Sequence, residues 1–169
     1  MNSLPFFLLA LAFLLLWIAG RQRRRLGVPE GSVLYQDTER GQGLEQPLYA
    51  ADLGLTGRPD YLVKSAQGLV PVEVKSGRSP GKPYDSHVYQ LAAYCALVER
   101  AYGERPAYGI IRYPERSFQV EYSPQLEQEF LELLGEMRGK LALEEVARSH
   151  AVAARCRSCG YVSRCEQSL

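Results

Sequence analysis

The sequence predicts an α/β protein in which a mixed sheet is flanked by helices. Two strand-like segments, residues 56–64 and 69–76, are separated by a short turn with a glycine near its end, which indicates a β-hairpin. A helical segment follows, then a second pair of strands and a second helical segment. Strands and helices in this order along one chain favour a sheet that is covered by helices.

Size and composition are those of one ordinary globular domain. When the first 25 or so residues are set aside, roughly 140 of the 169 remain, enough for one core and too few for two. The net charge is +1 and charged residues make up 23% of the chain, which argues against a disordered chain and against a generally basic protein that coats nucleic acid. Any contact with nucleic acid must therefore be confined to a small part of the protein surface.

The start of the chain differs in composition from the rest. Residues 4–20 are apolar and uncharged, and Arg21, Arg23, Arg24 and Arg25 follow. This run is at the short end of a bilayer span, and a cleaved signal peptide would carry its positive charge before the apolar run. The sequence therefore predicts a retained single-pass anchor in the cell membrane, with the arginines and everything after them in the cytoplasm. A buried core helix would not need the arginine cluster, and an interfacial or signal-type helix is the remaining alternative.

The next elements are a linker, an edge strand and, after the hairpin, a helix. Residues 26–50 are rich in Gly, Gln and Pro around one apolar stretch at residues 33–35, which predicts a linker that leads into an edge strand. Breakers and a capping residue within residues 82–86 precede a helix over residues 87–102, and Gly103 predicts its end. The spacing of apolar residues predicts that its buried stripe contains Val88, Leu91, Cys95 and Val98.

The second half of the chain repeats the order of two strands and a helix. Residues 108–113 and 118–122 are predicted to form strands separated by a polar turn. Ser123 and Pro124 predict the start of a long helix. The predicted buried stripe of that helix contains Leu126, Phe130, Leu133, Met137 and Leu141.

Two carboxylates and a lysine form the candidate catalytic centre. Along the second strand of the hairpin, Glu73 and Lys75 point to one face because side chains alternate, while the flanking valines point to the other. Asp60 lies on the first strand, and antiparallel neighbours are about 5 Å apart, so both carboxylates can bind one Mg²⁺ or Mn²⁺ that activates water against a phosphate. Lys75 could orient that water or neutralise charge on the phosphate. The alternative is a solvated strand face with one Glu–Lys ion pair.

These motifs resemble the PD-(D/E)xK nuclease superfamily. Pro59-Asp60 matches the first half of its signature, and Glu73-Val74-Lys75 matches the second. Downstream, Gln90 and Tyr94 are similar to the Q-x-x-x-Y helix motif of the RecB-like branch, and at i and i+4 they share one side of a helix. The resemblance implies a restriction-endonuclease-like fold, a metal site at Asp60 and Glu73, and positions beside the active site and the DNA for Gln90 and Tyr94.

The C-terminal cysteines carry a second resemblance. Cys156, Cys159 and Cys165 have the spacing C-x₂-C-x₅-C, which resembles the cysteine cluster of the fourth CRISPR-associated (Cas) protein family. These are RecB-like exonucleases that bind a 4Fe–4S cluster, which implies single-stranded DNA as the partner. The family's fourth cysteine has no upstream counterpart here, so Cys95 or His150 is the candidate ligand. Cys95 lies on an apolar helix face and reads as a core residue, whereas His150 would complete a Cys₃His zinc site.

Another departure from the family concerns the nuclease site itself. The family places a metal-binding histidine before its aspartate, and this chain has no histidine before His87. Asp37, Glu39 or Glu45 could replace that ligand.

The sequence therefore leaves two hypotheses: a membrane-anchored metal-dependent DNA nuclease, or a catalytically degenerate binding module for nucleic acid or protein on the same fold. The predicted division has four parts: an anchor at 1–25, a linker and edge strand at 26–50, a nuclease-like core at 51–148 and a Cys-rich metal-binding tail at 149–169.

Overall fold

A computed structural model describes residues 31–36 and 47–169 of the chain, together with Leu11. The chain divides into two compact units, Met1–Phe130 and Leu131–Leu169. The strands and the first helix belong to the first unit, and the second helix crosses the division between the units.

The described residues contain seven strands. In chain order they are β1 (Gly31–Gln36), β2 (Leu48–Ala50), β3 (Leu55–Gly57), β4 (Tyr61–Ser65), β5 (Gly68–Val74), β6 (Tyr108–Arg112) and β7 (Ser117–Glu121). Five of them form a mixed sheet in the order β1-β4-β5-β6-β7, in which only the β5–β6 pair is parallel. Strands β2 and β3 form a separate antiparallel pair. The predicted mixed α/β sheet is confirmed, and the predicted edge strand is β1.

The predicted hairpin is confirmed as β4 and β5, but its first strand is shorter than predicted. The connection is Ala66-Gln67, and Gly68 has φ of 100°, a left-handed conformation that glycine adopts without steric cost. Proline has no backbone N–H for a strand ladder, and Pro59 separates β3 from β4. Asp60 consequently lies in a bend that directly precedes β4.

The first helix, α1 (Asp85–Tyr102), confirms the predicted helix and its end. Gly103 is left-handed with φ of 69°, and its N–H bonds the carbonyl of Glu99 at 2.9 Å, which satisfies an otherwise free carbonyl at the helix end. The N-cap is Tyr84, which provides no side-chain hydrogen bond, so the predicted capping side chain is wrong. The predicted stripe is buried at Leu91, Cys95 and Val98 and partly buried at Val88.

Helix α1 connects the parallel strands β5 and β6 and packs on one face of the sheet. One hydrophobic core cluster, to which α1 contributes Leu97 and Val98, also contains Leu48, Ala50, Leu62 and Leu69. A second contains Leu91, Ile111 and Tyr113. A Cβ atom at Gly109 would lie 2.7 Å from Leu91 Cδ1, so the glycine allows the helix to approach β6 closely. The opposite face of the sheet buries Val63, Val70, Val72 and Ile110.

The second helix, α2 (Pro124–Leu141), begins where the sequence predicts. The N–H of Leu126 donates to Ser123 Oγ at 3.2 Å, an N-terminal cap. Phe130 is buried, but Met137 is 55% exposed and Leu141 is 83% exposed. The predicted buried stripe is therefore wrong at its C-terminal end, because periodicity sets which residues share a face and burial requires a second surface against it.

In the C-terminal unit, α3 (Ala153–Arg157) and a 3₁₀ turn at Val162–Arg164 carry the tail. Cys156 is buried, whereas Cys159 and Cys165 are exposed. Across the described residues, no three His, Cys, Asp or Glu side chains are grouped so that they could hold a metal ion. The predicted metal-binding tail is therefore not supported.

The predicted localisation as a single-pass membrane protein is contradicted. No helix among residues 31–36 and 47–169 is both long and apolar enough to cross a bilayer. The apolar run at residues 4–20 lies outside the described residues except for Leu11.

Candidate active site

Asp60 and Glu73 are brought together at the end of the β4–β5 hairpin. The last pair of this ladder is Tyr61 with Val72, so the next residues outward are Asp60 and Glu73, which share the face that α1 covers. Asp60 Oδ2 accepts a hydrogen bond from the backbone N–H of Val74 at 2.6 Å. This bond fixes the Asp60 carboxylate beside Glu73, whose residue surface is only 6% exposed.

Lys75, Gln90 and Tyr94 complete a connected hydrogen-bond network with Glu73. Lys75 Nζ donates to Glu73 Oε1 at 2.8 Å and to Gln90 Oε1 at 2.6 Å. The Gln90 side-chain amide donates to Glu73 Oε1 at 2.9 Å and to the Tyr94 hydroxyl at 3.0 Å. The structure therefore brings the strand motif and the helix motif into one cluster, because α1 crosses over the end of β5.

Electrostatics at the cluster favour a bound cation. Burial raises the pKa of the Glu73 carboxyl, the hydrogen bond from Lys75 opposes this, and the negative charge of Asp60 raises the pKa further. Burial also raises the pKa of Tyr94, with smaller increases from the charges of Glu73 and Asp60, so its hydroxyl stays protonated at neutral pH. Two carboxylates held together at partial burial repel each other, and a divalent cation between them relieves that repulsion.

The donor set fits Mg²⁺ or Mn²⁺, the ions that PD-(D/E)xK nucleases typically use. Such a cation requires few protein ligands, because one or two carboxylates together with water and substrate phosphate complete its shell. Asp60 and Glu73 supply two carboxylates. The candidate replacement ligands Asp37, Glu39 and Glu45 lie outside the described residues.

Cys95 and His150, the candidate fourth ligands of the cysteine tail, have the following surroundings. Cys95 is 1% exposed within the core of its unit, and burial raises the pKa of its thiol, which makes it an inert core residue. His150 Nδ1 faces the backbone N–H of Val152 at 3.4 Å.

Three supporting features were not recognised in the sequence. The backbone N–H of Val74 holds Asp60, as described above, and no side-chain pattern reveals such a bond. His87 Nδ1 lies 2.7 Å from the buried Tyr113 hydroxyl, a contact between α1 and the residue that directly follows β6, 26 positions later in the chain. A Cβ atom at Gly57 would lie 3.1 Å from the Tyr94 ring. Here a signal was available, since an isolated glycine in a strand often marks a close approach.

Comparisons with known proteins include a family match and a similar solved structure. The family model described as the PD-(D/E)XK nuclease superfamily matches residues 6–166. One similar solved structure is the crystal structure of SSO0001, with 22% identity and a TM-score of 0.47, covering 68% of this chain and 52% of that one. The chain therefore spans about half the length of that structure. No curated protein matches the chain.

Proposed function

The chain belongs to the PD-(D/E)XK nuclease superfamily, and from this premise we propose that it is a metal-dependent deoxyribonuclease of the RecB-like branch that acts as an exonuclease on single-stranded DNA. One observation carries the proposal: the carboxylates of Asp60 and Glu73 lie together, and Lys75 and Gln90 are hydrogen-bonded to the second of them. The contact of Gln90 with Tyr94 supports the RecB-like assignment, since both residues of that motif reach the cluster.

The proposed reaction is hydrolysis of a phosphodiester. The oxygen of water bonds to phosphorus, the bond from phosphorus to one ester oxygen breaks, and that oxygen leaves with a proton. A divalent cation held by Asp60 and Glu73 would supply Lewis-acid activation of the phosphate and of the water.

Lys75 has the central role among the side chains. Its ammonium group lies 2.8 Å from Glu73 Oε1 and the side chain is 20% exposed, so the ammonium group can donate to the attacking water or stabilise negative charge that develops on the phosphoryl oxygens. Gln90 holds both Lys75 and Glu73, which fixes the ammonium group at the carboxylate before substrate binds. Such preorganisation lowers the barrier, because no donor has to reorient during the reaction.

The resemblance to the fourth CRISPR-associated family predicts in addition a 4Fe–4S cluster or a zinc ion at Cys156, Cys159 and Cys165. The described residues do not form such a site, and the proposed hydrolysis does not use one.

The experiment is a nuclease assay of the full chain with Mn²⁺ on single- and double-stranded DNA labelled at the 5′ or 3′ end. We expect stepwise cleavage of single-stranded DNA that falls by a factor on the order of 10³ in Glu73→Gln and Lys75→Ala. Glu136→Gln is the matched control, because Glu136 is exposed on α2 and pairs with Lys140 one turn along the same helix. Cleavage that survives in Glu73→Gln would disprove the proposal.

The second candidate is a catalytically degenerate binding module. It is favoured by the ion pair between Lys75 and Glu73, which neutralises one of the two carboxylates without a metal. In that case wild type would not cleave, and nucleic-acid binding would be unchanged by Asp60→Asn and by removal of divalent metal.

A further inference from the structure

An aromatic row leads from the core of the first unit to the surface at the start of α1. The rings of Phe118 and Tyr113 are 5.8 Å apart, those of Tyr113 and His87 are 5.7 Å apart, and those of His87 and Tyr84 are 5.4 Å apart. Tyr113 is 1% exposed, whereas Tyr84 is 52% exposed. The outermost ring of a packed row is therefore presented to solvent.

The position of this outer ring is fixed from below. The hydrogen bond between Tyr113 and His87 holds the imidazole, and Tyr84 meets the imidazole edge-on at 88°. The backbone is fixed as well, since the carbonyl of Tyr84 accepts from the N–H groups of His87 and Val88 at 2.9 and 3.0 Å. A ring held in this way loses little conformational freedom when a flat partner stacks on it.

The ring also lies close to the candidate active site. Tyr84 is the N-cap of α1 and precedes Gln90 by six positions, about 9 Å along the helix axis. Burial lowers the pKa of His87, which supports the ring, and the ammonium charge of Lys75 lowers it further.

The loop at residues 76–84, which joins β5 to α1, is basic. It contains Arg78 and Lys82 and no acidic residue, and both basic residues are exposed. The hydroxyl of Ser79 accepts a hydrogen bond from the backbone N–H of Glu115 at 3.0 Å, which anchors the loop to the β6–β7 turn. The loop therefore carries two exposed positive charges on the segment that leads to the exposed ring.

We propose that Tyr84 is a stacking platform for a base of single-stranded nucleic acid, and that Arg78 and Lys82 bind the phosphates beside that base. The proposal rests on the proposed nuclease function and names how its substrate is held. An exposed aromatic ring that follows a basic loop fits a single strand, because unpaired bases offer their faces for stacking and the phosphates require cations. A duplex keeps its base faces covered.

The experiment uses the full chain with Glu73→Gln, so that cleavage does not consume the probe. The probes are DNA and RNA oligonucleotides of one sequence that contain 2-aminopurine, whose fluorescence is quenched by stacking, together with the corresponding duplex. We expect both quenching and binding with the single strands. Adding Tyr84→Ala should raise Kd roughly 5- to 100-fold and abolish the protein-dependent quenching, whereas Tyr84→Phe should retain both.

The matched control is Tyr102→Ala, since Tyr102 is 43% exposed at the opposite end of the same helix. Tyr84→Leu adds a second test, because leucine can still cover the imidazole edge but cannot stack. Thermal unfolding of each variant should match the parent. If Tyr84→Ala and Tyr84→Leu bind and quench like Tyr102→Ala, or if the parent binds duplex and single strand equally, the proposal is overturned.

The proposed phosphate contacts of Arg78 and Lys82 are tested by the salt dependence of nucleic-acid binding. Replacing Arg78 and Lys82 together by alanine should reduce the slope of log Kd against log salt by roughly 0.7 for each lost phosphate contact. Lys64→Ala is the control, an exposed lysine on β4. An unchanged slope in the double variant would contradict the phosphate contacts.

Failure of this proposal is distinguishable from failure of the nuclease. Binding is measured without cleavage, so loss of stacking in Tyr84→Ala supports the platform even if wild type cleaves nothing. Conversely, a wild type that cleaves single-stranded DNA with a Tyr84→Ala variant of unchanged Kd and quenching would retain the nuclease and exclude the platform. A parent that binds neither single strand also excludes the platform.

Discussion

Helices α1 and α2 each contain 18 residues, yet α1 buries six residues and α2 buries only Phe130. Both have apolar residues at helical spacing, so the sequence pattern hardly separates them. They differ in connection: α1 joins two parallel strands and must cross the sheet between them, whereas α2 follows an antiparallel hairpin and passes from one compact unit into the other. Burial therefore follows from the path of the chain more than from the pattern on the helix.

The same difference decides which helix can contribute to a site. Because α1 lies over the end of β5, its polar residues Gln90 and Tyr94 meet Glu73 and Lys75. On α2, Gln125 pairs with Glu129 and Lys140 with Glu136 along the helix itself, and Glu127 pairs with Arg105. Two predictions test this contrast between a helix built into the core and a helix that is largely exposed, and a third concerns a titrating residue of α1.

The largest expected effect is on stability. Leu97 on α1 is 1% exposed within a cluster of six buried residues, so Leu97→Ala should lower the free energy of unfolding by about 2–5 kcal/mol through lost burial and the cavity left behind. Leu141→Ala removes the same atoms from a side chain on α2 that is 83% exposed and should cost less than about 0.5 kcal/mol. Urea unfolding followed by circular dichroism measures both. Equal losses would mean that the two helices do not differ in burial.

A smaller effect is expected on catalysis. Gln90→Ala removes the amide that holds Lys75 and Glu73, and loss of such a supporting group should reduce kcat by roughly 10- to 100-fold with little change in unfolding temperature. The control is Gln125→Ala on α2, which breaks a hydrogen bond of 3.0 Å to an exposed glutamate. Cleavage of labelled single-stranded DNA gives kcat for each variant. If both glutamine variants keep full activity, Gln90 does not position the lysine.

The smallest effect is a pH dependence. Burial, with a smaller effect of the Lys75 charge, lowers the pKa of His87 below its ordinary value of 6.5. The folded protein therefore binds this proton less readily than the unfolded chain, so the associated stability is complete above pH 6.5 and is lost as the pH falls through the lower folded pKa. His87→Gln has no titrating group and should lose less stability over that range. Urea unfolding above pH 6.5 and at successively lower pH measures the difference, and identical pH profiles would contradict it.

The local elements were largely predictable because short-range chemistry determines them. Gly103 ends α1 through its left-handed conformation, Ser123 caps α2, and Gly68 closes the hairpin, each acting within a few residues of its position. The three-residue strand β2 was not predicted, and the strand predicted over residues 56–64 did not separate β3 from β4. Segments of that length are stabilised by pairing with each other rather than by their own pattern.

The candidate site was predictable in part. Alternation along β5 placed Glu73 and Lys75 on one face, and the hairpin placed Asp60 next to them. The bond from the Val74 N–H to Asp60 and the contact of His87 with Tyr113 depend on backbone and helix positions that alternation does not report. For the three C-terminal cysteines, in contrast, the spacing predicted that they share one metal site. In the structure one of these thiols is buried and two are exposed.

The sequence by itself determined the order of strands and helices, the family resemblance and the residues that share each face, since these depend on local geometry and on side-chain periodicity. Only the tertiary structure decided that Gln90 bridges Lys75 and Glu73, that Tyr84 is exposed at the end of an aromatic row, and that the C-terminal half of α2 is exposed. These outcomes depend on which surfaces meet across long separations in the chain, and packing between elements selects those contacts after the local pattern is satisfied.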